Sequence, residues 1–257
     1  MLLAIDIGNS NVVIGCLNDQ NETVSLFRMV TDLKKTEDEY AAGMQTILSH
    51  NGLSGSSFEG AIISSVVPPL TEIFRASVKK LTGCHALVVG SGIKTGLNIQ
   101  IDDPSTLGSD LVAAAVAAIN QFPQPVIIID MGTATTMTVV DKGNRFLGGA
   151  IIPGVALSMN ALSSGTSLLH KVPLEAPKKC ISGTTTACMQ SGAVYGNAAL
   201  LDGMIDRFEA ELDTKATVVA TGGIACKIIP HCRHEIIYDE DLLLKGLAIL
   251  YRKNTKR

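Results

Sequence analysis

The sequence predicts an α/β protein in which one strand–turn–strand unit occurs twice. Three observations support this prediction: apolar runs typical of buried strands alternate with helical patterns, aliphatic residues dominate, and one local pattern recurs far along the chain. Hydrophobic residues make up 46% of the 257 residues, whereas aromatic residues make up 4% and tryptophan is absent. A core of aliphatic residues is typical of buried sheets that are covered by helices.

The first half of the chain shows strands and helices with clear boundary signals. Thr36 and Glu39 form a predicted capping box, and the prolines at 68 and 69 open a second helix. Strands are predicted at residues 1–5, 11–17, 61–67 and 86–89, helices from 36 to about 49, from 68 to about 83 and at 111–122, and a loop at 94–107. The run Pro123-Gln124-Pro125 then predicts a boundary between two domains, residues 1–124 and residues 125–257.

The second half repeats the alternation. Gly143-Asn144 is typical of a hairpin turn, and residues 126–129 form the most strongly β-prone run of the chain. Strands are predicted at residues 126–129, 135–140 and 218–220, and helices at residues 155–162, over much of 185–212 and at 241–251.

The repeated pattern is an apolar strand, an aspartate, an apolar residue, a glycine and a short polar turn. It occurs at residues 3–11, with Asp6 and Gly8, and again at 127–135, with Asp130 and Gly132. Glycine allows backbone N–H groups to approach a phosphate closely, and a carboxylate suits Mg²⁺ or a water bound to it. Either turn alone fits an ordinary hairpin about as well, but the occurrence of both favours phosphate binding.

These motifs resemble those of the acetate and sugar kinase, Hsp70 and actin superfamily. Asp6-x-Gly8-Asn9-Ser10-Asn11 resembles its first phosphate motif, Asp130-x-Gly132-Thr133-Ala134 its second, and Thr221-Gly222-Gly223 its adenosine motif. The resemblance implies a duplicated actin-like (ribonuclease H-like) fold, in which two lobes with mixed sheets flanked by helices close over ATP in a cleft.

Further stretches resemble type III pantothenate kinases in particular, from residue 3 to about residue 250. They are residues 94–97, 104–110, 148–154 and 189–192. The resemblance implies ATP-dependent phosphorylation of pantothenate to 4'-phosphopantothenate, which is the first step of coenzyme A biosynthesis. It also implies a homodimer, Mg²⁺ and a monovalent cation, K⁺ or NH₄⁺.

The same resemblance assigns roles to individual residues. It places Asp110, in Gly108-Ser109-Asp110-Leu111, at the position of the catalytic aspartate, Asp6 nearest to Mg²⁺ and Asp130 as the ligand of the monovalent cation. The ATP-binding residues are then Asp6, Ile7, Gly8, Asn9, Ser10, Asn11, Val12, Val13, Thr133, Gly222 and Gly223. The acceptor-binding residues are Ile101, Gly108, Ser109, Asp110, Leu111 and Thr185, the last from the neighbouring subunit.

Asp110 also has an ordinary structural interpretation. It follows a glycine and precedes an Ala-rich helix, where an aspartate commonly stabilises the first turn. A helix N-terminus also keeps a carboxylate ionised, so that it can orient an alcohol and accept its proton. The resemblance favours the catalytic role over the structural one.

The sequence departs from the family pattern at two acceptor positions. Leu111 stands where the family has an arginine that contacts the pantothenate carboxylate, and Ile101 where it has a tyrosine. Leucine cannot form a charged bidentate pair. Three hypotheses remain open: another cation, at Lys94, Arg145 or Lys171, replaces the arginine; the acceptor is a neutral relative of pantothenate, such as pantetheine; or the protein is a nucleotide-binding regulatory paralogue with weak or no kinase activity.

Charge and cysteine content exclude several other classes. The net charge is −3 and no basic stripe occurs, so we expect no nucleic-acid partner. The six cysteines form no C-x-x-C pair, and no signal peptide or membrane span is predicted, which favours a cytoplasmic location. Cys226, His231, Cys232 and His234 match no standard zinc spacing and are expected to lie in a solvated loop with a buried cysteine.

Overall fold

The computed structural model describes residues 1–255, which divide into two compact units. Within the described residues, unit 1 comprises Met1–Leu97, Asp102–Asn120 and Asp241–Thr255, and unit 2 comprises Asn98–Ile101 and Gln121–Glu240. The last helix thus packs in the unit formed mainly by the first half of the chain. The division into domains 1–124 and 125–257 stays a prediction.

Eleven strands occur within residues 1–255. They are β1 (Leu2–Ile7), β2 (Asn11–Leu17), β3 (Thr23–Val30), β4 (Gly60–Ser65), β5 (Ala86–Val88), β6 (Asn98–Ile99), β7 (Val126–Met131), β8 (Ala134–Asp141), β9 (Arg145–Pro153), β10 (Thr217–Thr221) and β11 (Ile237–Tyr238).

Eight α-helices accompany them in the same part of the chain. They are α1 (Glu37–His50), α2 (Pro68–Thr82), α3 (Ser109–Gln121), α4 (Val155–Gly165), α5 (Thr185–Ser191), α6 (Asn197–Leu212), α7 (Ala225–Ile228) and α8 (Leu242–Thr255). A π-helical turn, Gly192–Gly196, joins α5 to α6, and short 3₁₀ turns occur at Gly55–Ser57, Pro104–Thr106 and Ile229–His231.

The two sheets repeat one topology, which confirms the predicted duplication. Unit 1 has the strand order β3-β2-β1-β4-β5, and unit 2 has the matching order β9-β8-β7-β10-β11, with β6 added beside β9. In each sheet the first strand of the repeat pairs antiparallel with the next strand and parallel with a later one. Both sheets are therefore mixed, and helices supply the cores on their faces.

Residues of β1 alternate between two cores in unit 1. Leu3, Ile5 and Ile7 pack with apolar residues of α1 and α2, whereas Leu2 and Ala4 pack with those of α3 and α8. Successive side chains of a strand point to opposite faces, so a strand buried on both faces is apolar throughout. The apolar run at the start of the chain has this origin.

Most predicted boundaries agree with the structure to within a few residues. The capping box of Thr36 and Glu39 is present, and Gly83 ends α2 in the left-handed conformation with φ of 75°. The loop predicted at residues 94–107 is partly wrong, because it contains β6 and a 3₁₀ turn. β3 was not predicted, because its half-exposed pattern at the sheet edge lacks a continuous apolar run.

Candidate nucleotide and acceptor site

The first predicted phosphate turn joins β1 to β2 in unit 1. Ile7 and Val12 are direct partners in the sheet, and the turn comprises the four residues between them. Within it, the N–H of Gly8 donates to the carbonyl of Asn11 at 3.1 Å. Ile7 and Val12 are buried in the core, so only their backbone could contact ATP. The exposed turn residues Asn9, Ser10 and Asn11 offer side chains and backbone N–H groups of the kind that bind phosphate.

Thr31 supports this turn from the end of β3. Its hydroxyl donates to the carbonyl of Gly8 at 2.6 Å, and its N–H donates to the carbonyl of Ser10 at 3.2 Å. Two hydrogen bonds from one residue fix the turn on the side away from β1. The sequence carried no signal for Thr31, because the strand before it was not recognised.

The second turn, between β7 and β8 of unit 2, is one residue shorter. Met131 pairs with Thr135, and the N–H of Gly132 donates to the carbonyl of Ala134 at 3.0 Å. Gly154 lies against this turn: a Cβ there would stand 2.3 Å from the carbonyl oxygen of Thr133. Only glycine fits at that distance. This explains why a glycine follows Pro153 in the stretch on which the family resemblance partly rests.

The predicted adenosine motif adjoins the second turn within unit 2. β10 runs parallel to β7, with Thr221 opposite Asp130. Gly222 has φ of +92°, and a Cβ there would stand 2.8 Å from Oδ1 of Asp130 and 2.7 Å from the carbonyl oxygen of Met131. A Cβ at the exposed Gly223 would meet nothing within 4 Å. The structure thus brings Asp130, Gly132, Gly222 and Gly223 to one edge of one sheet.

Asp110 lies in the first turn of α3 in unit 1. The carbonyl of Gly108 accepts the N–H of Val112 at 3.1 Å, so the helix begins there. The Asp110 side chain folds back toward the N-terminus: Oδ1 accepts the N–H of Leu111 at 2.8 Å, and a Cβ at Gly108 would stand 2.3 Å from it. Burial raises the pKa of Asp110, although the N–H groups of Leu111 and Asp110 act against that rise.

The hydroxyl of Ser109, beside Asp110, is bonded to β4. It lies 3.0 Å from Oγ of Ser64, accepts the N–H of Ser65 at 2.9 Å and donates to the carbonyl of Ser65 at 3.1 Å. A hydroxyl has one proton and two lone pairs, so these three bonds use its capacity. An acceptor contact at this residue would therefore have to involve its backbone.

The remaining predicted acceptor residues are Leu111, Ile101 and Thr185. Leu111 is half-buried on α3, and Ile101 in unit 2 lies beside Gly148, with Cγ2 at 3.4 Å from the position that a Cβ there would take. Thr185 begins α5 and lines a cavity of about 380 Å³ with Met159, Leu162 and other residues of α4 and α5. Their acceptor roles stay predictions.

Of the three cations that could replace the family arginine, Arg145 has an ion pair of its own. Its guanidinium contacts the carboxylate of Asp141 across a hairpin in unit 2. The backbone of Lys94 is held by Asn254, whose side-chain oxygen accepts the Lys94 N–H at 2.9 Å. Lys171 is exposed between α4 and α5.

Among residues 1–255, Cys226, His231, Cys232 and His234 do not come together as a group of three or more potential metal ligands. Cys232 contacts the carbonyls of Ala198 and Ile228, and the ring of His231 stacks edge-on against Tyr195. His234 instead joins Asp206 and Glu209, with one ligand atom from each within 4.8 Å of the others. Internal bonds already occupy this group: His234 Nε2 lies 2.8 Å from Asp206, and Lys215 lies 2.6 Å from Glu209.

The duplicated sheet order and the paired Asp-Gly turns define an α/β protein of the actin-like class. Component A of (R)-2-hydroxyglutaryl-CoA dehydratase from Acidaminococcus fermentans has the same fold, with a TM-score of 0.59 at 14% identity and 99% of each chain covered. A likeness at this identity establishes the fold alone.

Sequence comparison places the chain more narrowly. The family model for type III pantothenate kinase matches residues 2–207. The relatives named type III pantothenate kinase include one from Halalkalibacterium halodurans, 39% identical over 99% of this chain and 100% of its own, and one from Brevibacillus brevis, 41% identical over 99% of each. The chain belongs to the type III pantothenate kinase family, as its motifs predicted.

Proposed function

We propose that this protein transfers the γ-phosphoryl group of ATP to the hydroxyl of pantothenate, the first step of coenzyme A biosynthesis. The observation that carries the proposal is the full-length match to pantothenate kinases together with retention of Asp6, Asp110 and Asp130 at the motif positions. Kinases of this kind use ATP with a divalent metal.

ATP binding is assigned to the two glycine turns and the glycines after β10. In unit 1 the segment from Asp6 to Val13 would hold phosphate oxygens mainly at its exposed turn, through the side chains and backbone N–H groups of Asn9, Ser10 and Asn11. In unit 2 Thr133 would contact phosphate, and Gly222 and Gly223 would leave room for adenosine. Open space above Gly223 and the exposed turn at Thr133 support this assignment.

The carboxylates fit the cations that the family implies. We assign Mg²⁺, directly or through water, to Asp6, and a monovalent cation, K⁺ or NH₄⁺, to Asp130. Both are hard oxygen ligands at strand ends beside glycines, which suits such cations. Bound Mg²⁺ would neutralise phosphate charge; the chain's own residues position the reacting groups.

Asp110 is assigned to the acceptor hydroxyl. The hydroxyl oxygen forms the new bond to the γ-phosphorus, the bond from that phosphorus to the leaving oxygen of ADP breaks, and the hydroxyl proton passes to Asp110. Burial raises the pKa of this carboxyl, which makes it a better proton acceptor than an exposed aspartate. Phosphoryl transfer depends mainly on positioning, so a weak base suffices.

A neutral pantothenate relative, such as pantetheine, is the second candidate acceptor. Leu111 favours it, since the half-buried leucine offers no charge to a carboxylate. An acceptor panel that contains pantothenate and pantetheine distinguishes the two candidates.

We also propose that the protein acts as a homodimer. Leu157 and Leu162 are about half exposed on α4, and Leu168 and Ile181 between α4 and α5 are 88% and 93% exposed. This apolar surface adjoins the cavity that Thr185 lines. Burial of such a surface against a second copy is favourable and would carry Thr185 toward the partner's acceptor.

We further propose that the protein is located in the cytoplasm. All six cysteines are free thiols, which is typical of reducing compartments. Within residues 1–255 no helix is long and apolar enough to cross a bilayer.

The test is transfer of radiolabel from [γ-³²P]ATP to pantothenate, with Mg²⁺ and with K⁺, NH₄⁺ or Na⁺ in turn. We expect labelled phosphopantothenate, a requirement for Mg²⁺, stimulation by K⁺ or NH₄⁺, and a loss of about a hundredfold or more in Asp110→Asn. Nucleotide binding without transfer to any acceptor would contradict the kinase proposal and favour a regulatory paralogue. Light scattering of the same preparation tests the dimer.

A further inference from the structure

We propose that Ser109 is a positioning residue, which, with Ser64 as its partner, holds Asp110 in a fixed place relative to the end of β1, the strand that carries Asp6. This inference rests on the proposed function, because it assigns to Ser109 an effect exerted through Asp110. It gives the serine a role that differs from contact with the acceptor.

Only one assignment of donors and acceptors satisfies all three hydrogen bonds of the Ser109 hydroxyl. Its hydroxyl donates to the carbonyl of Ser65, so its lone pairs accept the N–H of Ser65 and the hydroxyl of Ser64. Three bonds from one side chain thus fasten the first residue of α3 to the last two residues of β4. Ser64 is fully buried, so water does not compete for its hydroxyl.

The position of Ser64 in the sheet connects this anchor to the nucleotide turn. β4 runs parallel to β1, and Ser64 is the direct partner of Asp6. Leu2, Ala4 and Ile62 belong to the core formed with α3 and α8, so strand alternation places the side chains of Asp6 and Ser64 on that same face. The anchor therefore lies between the strand end that carries Asp6 and the helix end that carries Asp110.

A second set of hydroxyl bonds stiffens the end of β4. Oγ of Ser65 donates to the carbonyl of Val67, accepts the N–H of Val67 at 3.2 Å and accepts the hydroxyl of Thr71 at 2.9 Å. Thr71 lies in the first turn of α2. The segment to which Ser109 is fastened is thus itself held by α2, as a positioning role requires.

The functional consequence follows from the sensitivity of phosphoryl transfer to geometry. Displacement of a catalytic group by about 1 Å can reduce a rate by up to about a hundredfold. Without the Ser109 hydroxyl, α3 should still pack through its apolar face, but the first turn of the helix would be free to shift. We expect the turnover number to fall by about tenfold, with the KM for ATP changed by less than about twofold.

The experiment measures radiolabel transfer and thermal unfolding in two sets of variants. The first set is Ser109→Ala, Ser64→Ala and the Ser64→Ala/Ser109→Ala double variant. The second set is Asp110→Asn and Ser109→Ala/Asp110→Asn. Each single serine variant should lose about tenfold in kcat, and the double variant no more than the worse single one. In the Asp110→Asn background, Ser109→Ala should cause no further loss. Ser77→Ala, which removes another fully buried serine hydroxyl bonded to carbonyls at 2.8 and 2.9 Å, is the matched control and should leave kcat unchanged.

The outcomes separate this inference from the proposed function. If Asp110→Asn loses activity but Ser109→Ala has the wild-type kcat, only the inference is overturned. It is also overturned if Ser109→Ala reduces the activity of Asp110→Asn by the same factor as that of the wild type, since the serine would then act independently of the carboxylate. If Asp110→Asn is as active as the wild type, the assignment of Asp110 fails and the inference fails with it.

Discussion

Oδ1 of Asp130 lies 2.8 Å from the point where an alanine at residue 222 would place its Cβ. Gly222 also has φ of +92°, a conformation that residues with a side chain rarely adopt. Glycine at this position allows the chain to leave β10 directly beside the carboxylate of Asp130, the next-to-last residue of β7. The glycine and the aspartate therefore form one local unit, although they lie far apart in sequence.

Gly222→Ala should weaken nucleotide binding. The new methyl group would displace the Asp130 carboxylate or the Met131 carbonyl, and the strained φ would cost about 1–3 kcal/mol. We expect the dissociation constant for an ATP analogue to rise by at least about tenfold and the unfolding midpoint to fall. Titration with a fluorescent ATP analogue measures the first, and thermal unfolding the second.

Gly90→Ala is the control for Gly222→Ala. A Cβ at Gly90 would meet nothing within 4 Å, and its φ lies outside the left-handed region. Nucleotide affinity should therefore remain at the wild-type value. Wild-type affinity in Gly222→Ala as well would show that this glycine is unimportant for the nucleotide.

Leu111→Arg should lower the KM for pantothenate. The wild-type side chain offers the substrate carboxylate no charged donor, and a charged hydrogen bond contributes about 1.5–3 kcal/mol. We expect KM to fall by about tenfold or more, with the KM for ATP unchanged. Steady-state kinetics with both substrates varied would measure this.

Two further substitutions at the same position isolate the cause. Leu111→Lys adds charge without a planar fork and should recover part of the effect, whereas Leu111→Met conserves size and should recover none. Tight binding of pantothenate by the wild type, unchanged in Leu111→Arg, would mean that another cation already binds the carboxylate.

The repeated turns and their strands could be predicted from sequence because each has a strong local signal. The strands are apolar on both faces, and Gly8 is favoured locally because a Cβ there would make a tight contact of 3.1 Å with the carbonyl oxygen of Asn11, whereas a Cβ at Gly132 would lie 3.7 Å from that of Ala134. These restrictions act within a few residues, so a single chain displays them. The same holds for the capping box of α1 and the left-handed Gly83.

The groups that support the site were not predictable because their contacts join distant segments. Thr31 and Ser64 are ordinary residues in sequence, and their roles arise from pairing between strands and from the packing of α3 on β4. Serine and threonine occur in many loops and strands without such roles. Only the three-dimensional arrangement distinguishes Ser109, with three bonds, from a serine at an exposed helix start.

Asp110→Asn should stabilise the fold near neutral pH. Burial raises the pKa of this carboxyl above its ordinary value, so the folded protein binds the proton more tightly than the unfolded chain does. The resulting stability is present below the ordinary aspartate pKa of about 3.9 and is lost as the pH rises through the raised pKa. Asparagine carries no charge and avoids that loss.

The unfolding midpoint of Asp110→Asn should therefore exceed that of the wild type by about 2 °C at pH 7, and the difference should vanish near pH 3.5. Differential scanning calorimetry at both pH values measures this. A lower midpoint at pH 7 would indicate that the ionised carboxylate stabilises the start of α3 and that burial is not the dominant effect.

Asp202→Asn should destabilise unit 2. Burial alone would raise the pKa of Asp202, but the N–H groups of Arg233 and His234 and the Arg233 side chain outweigh it and hold the pKa below its ordinary value. The carboxylate accepts these N–H groups at 2.9–3.1 Å and fastens the segment after α7 to α6. Loss of charged hydrogen bonds should cost about 2–3 kcal/mol at pH 7.

The destabilisation by Asp202→Asn depends on pH in a defined direction. A lowered folded-state pKa contributes stability above the ordinary aspartate value of about 3.9 and loses it as the pH falls through the lowered pKa. Wild type and variant should thus converge in acid, as urea titrations at pH 7 and pH 3 would reveal. Asp206→Asn, on the same helix but about half exposed, should cost less than about 1 kcal/mol.

Thr135→Val should stabilise the protein. The Thr135 hydroxyl is buried in unit 2 and has no hydrogen-bond partner among residues 1–255, while the side chain lies on the face of β8 that also carries Met137. A buried hydroxyl without a partner costs about 1–3 kcal/mol, and valine has nearly the same shape. We expect the free energy of unfolding to rise by about 1 kcal/mol.

Thr82→Val is the control for Thr135→Val. It removes a hydroxyl that is bonded to Val78 and Cys84 and should have the opposite effect. Equal destabilisation of both variants in urea titrations would mean that the Thr135 hydroxyl is satisfied in solution.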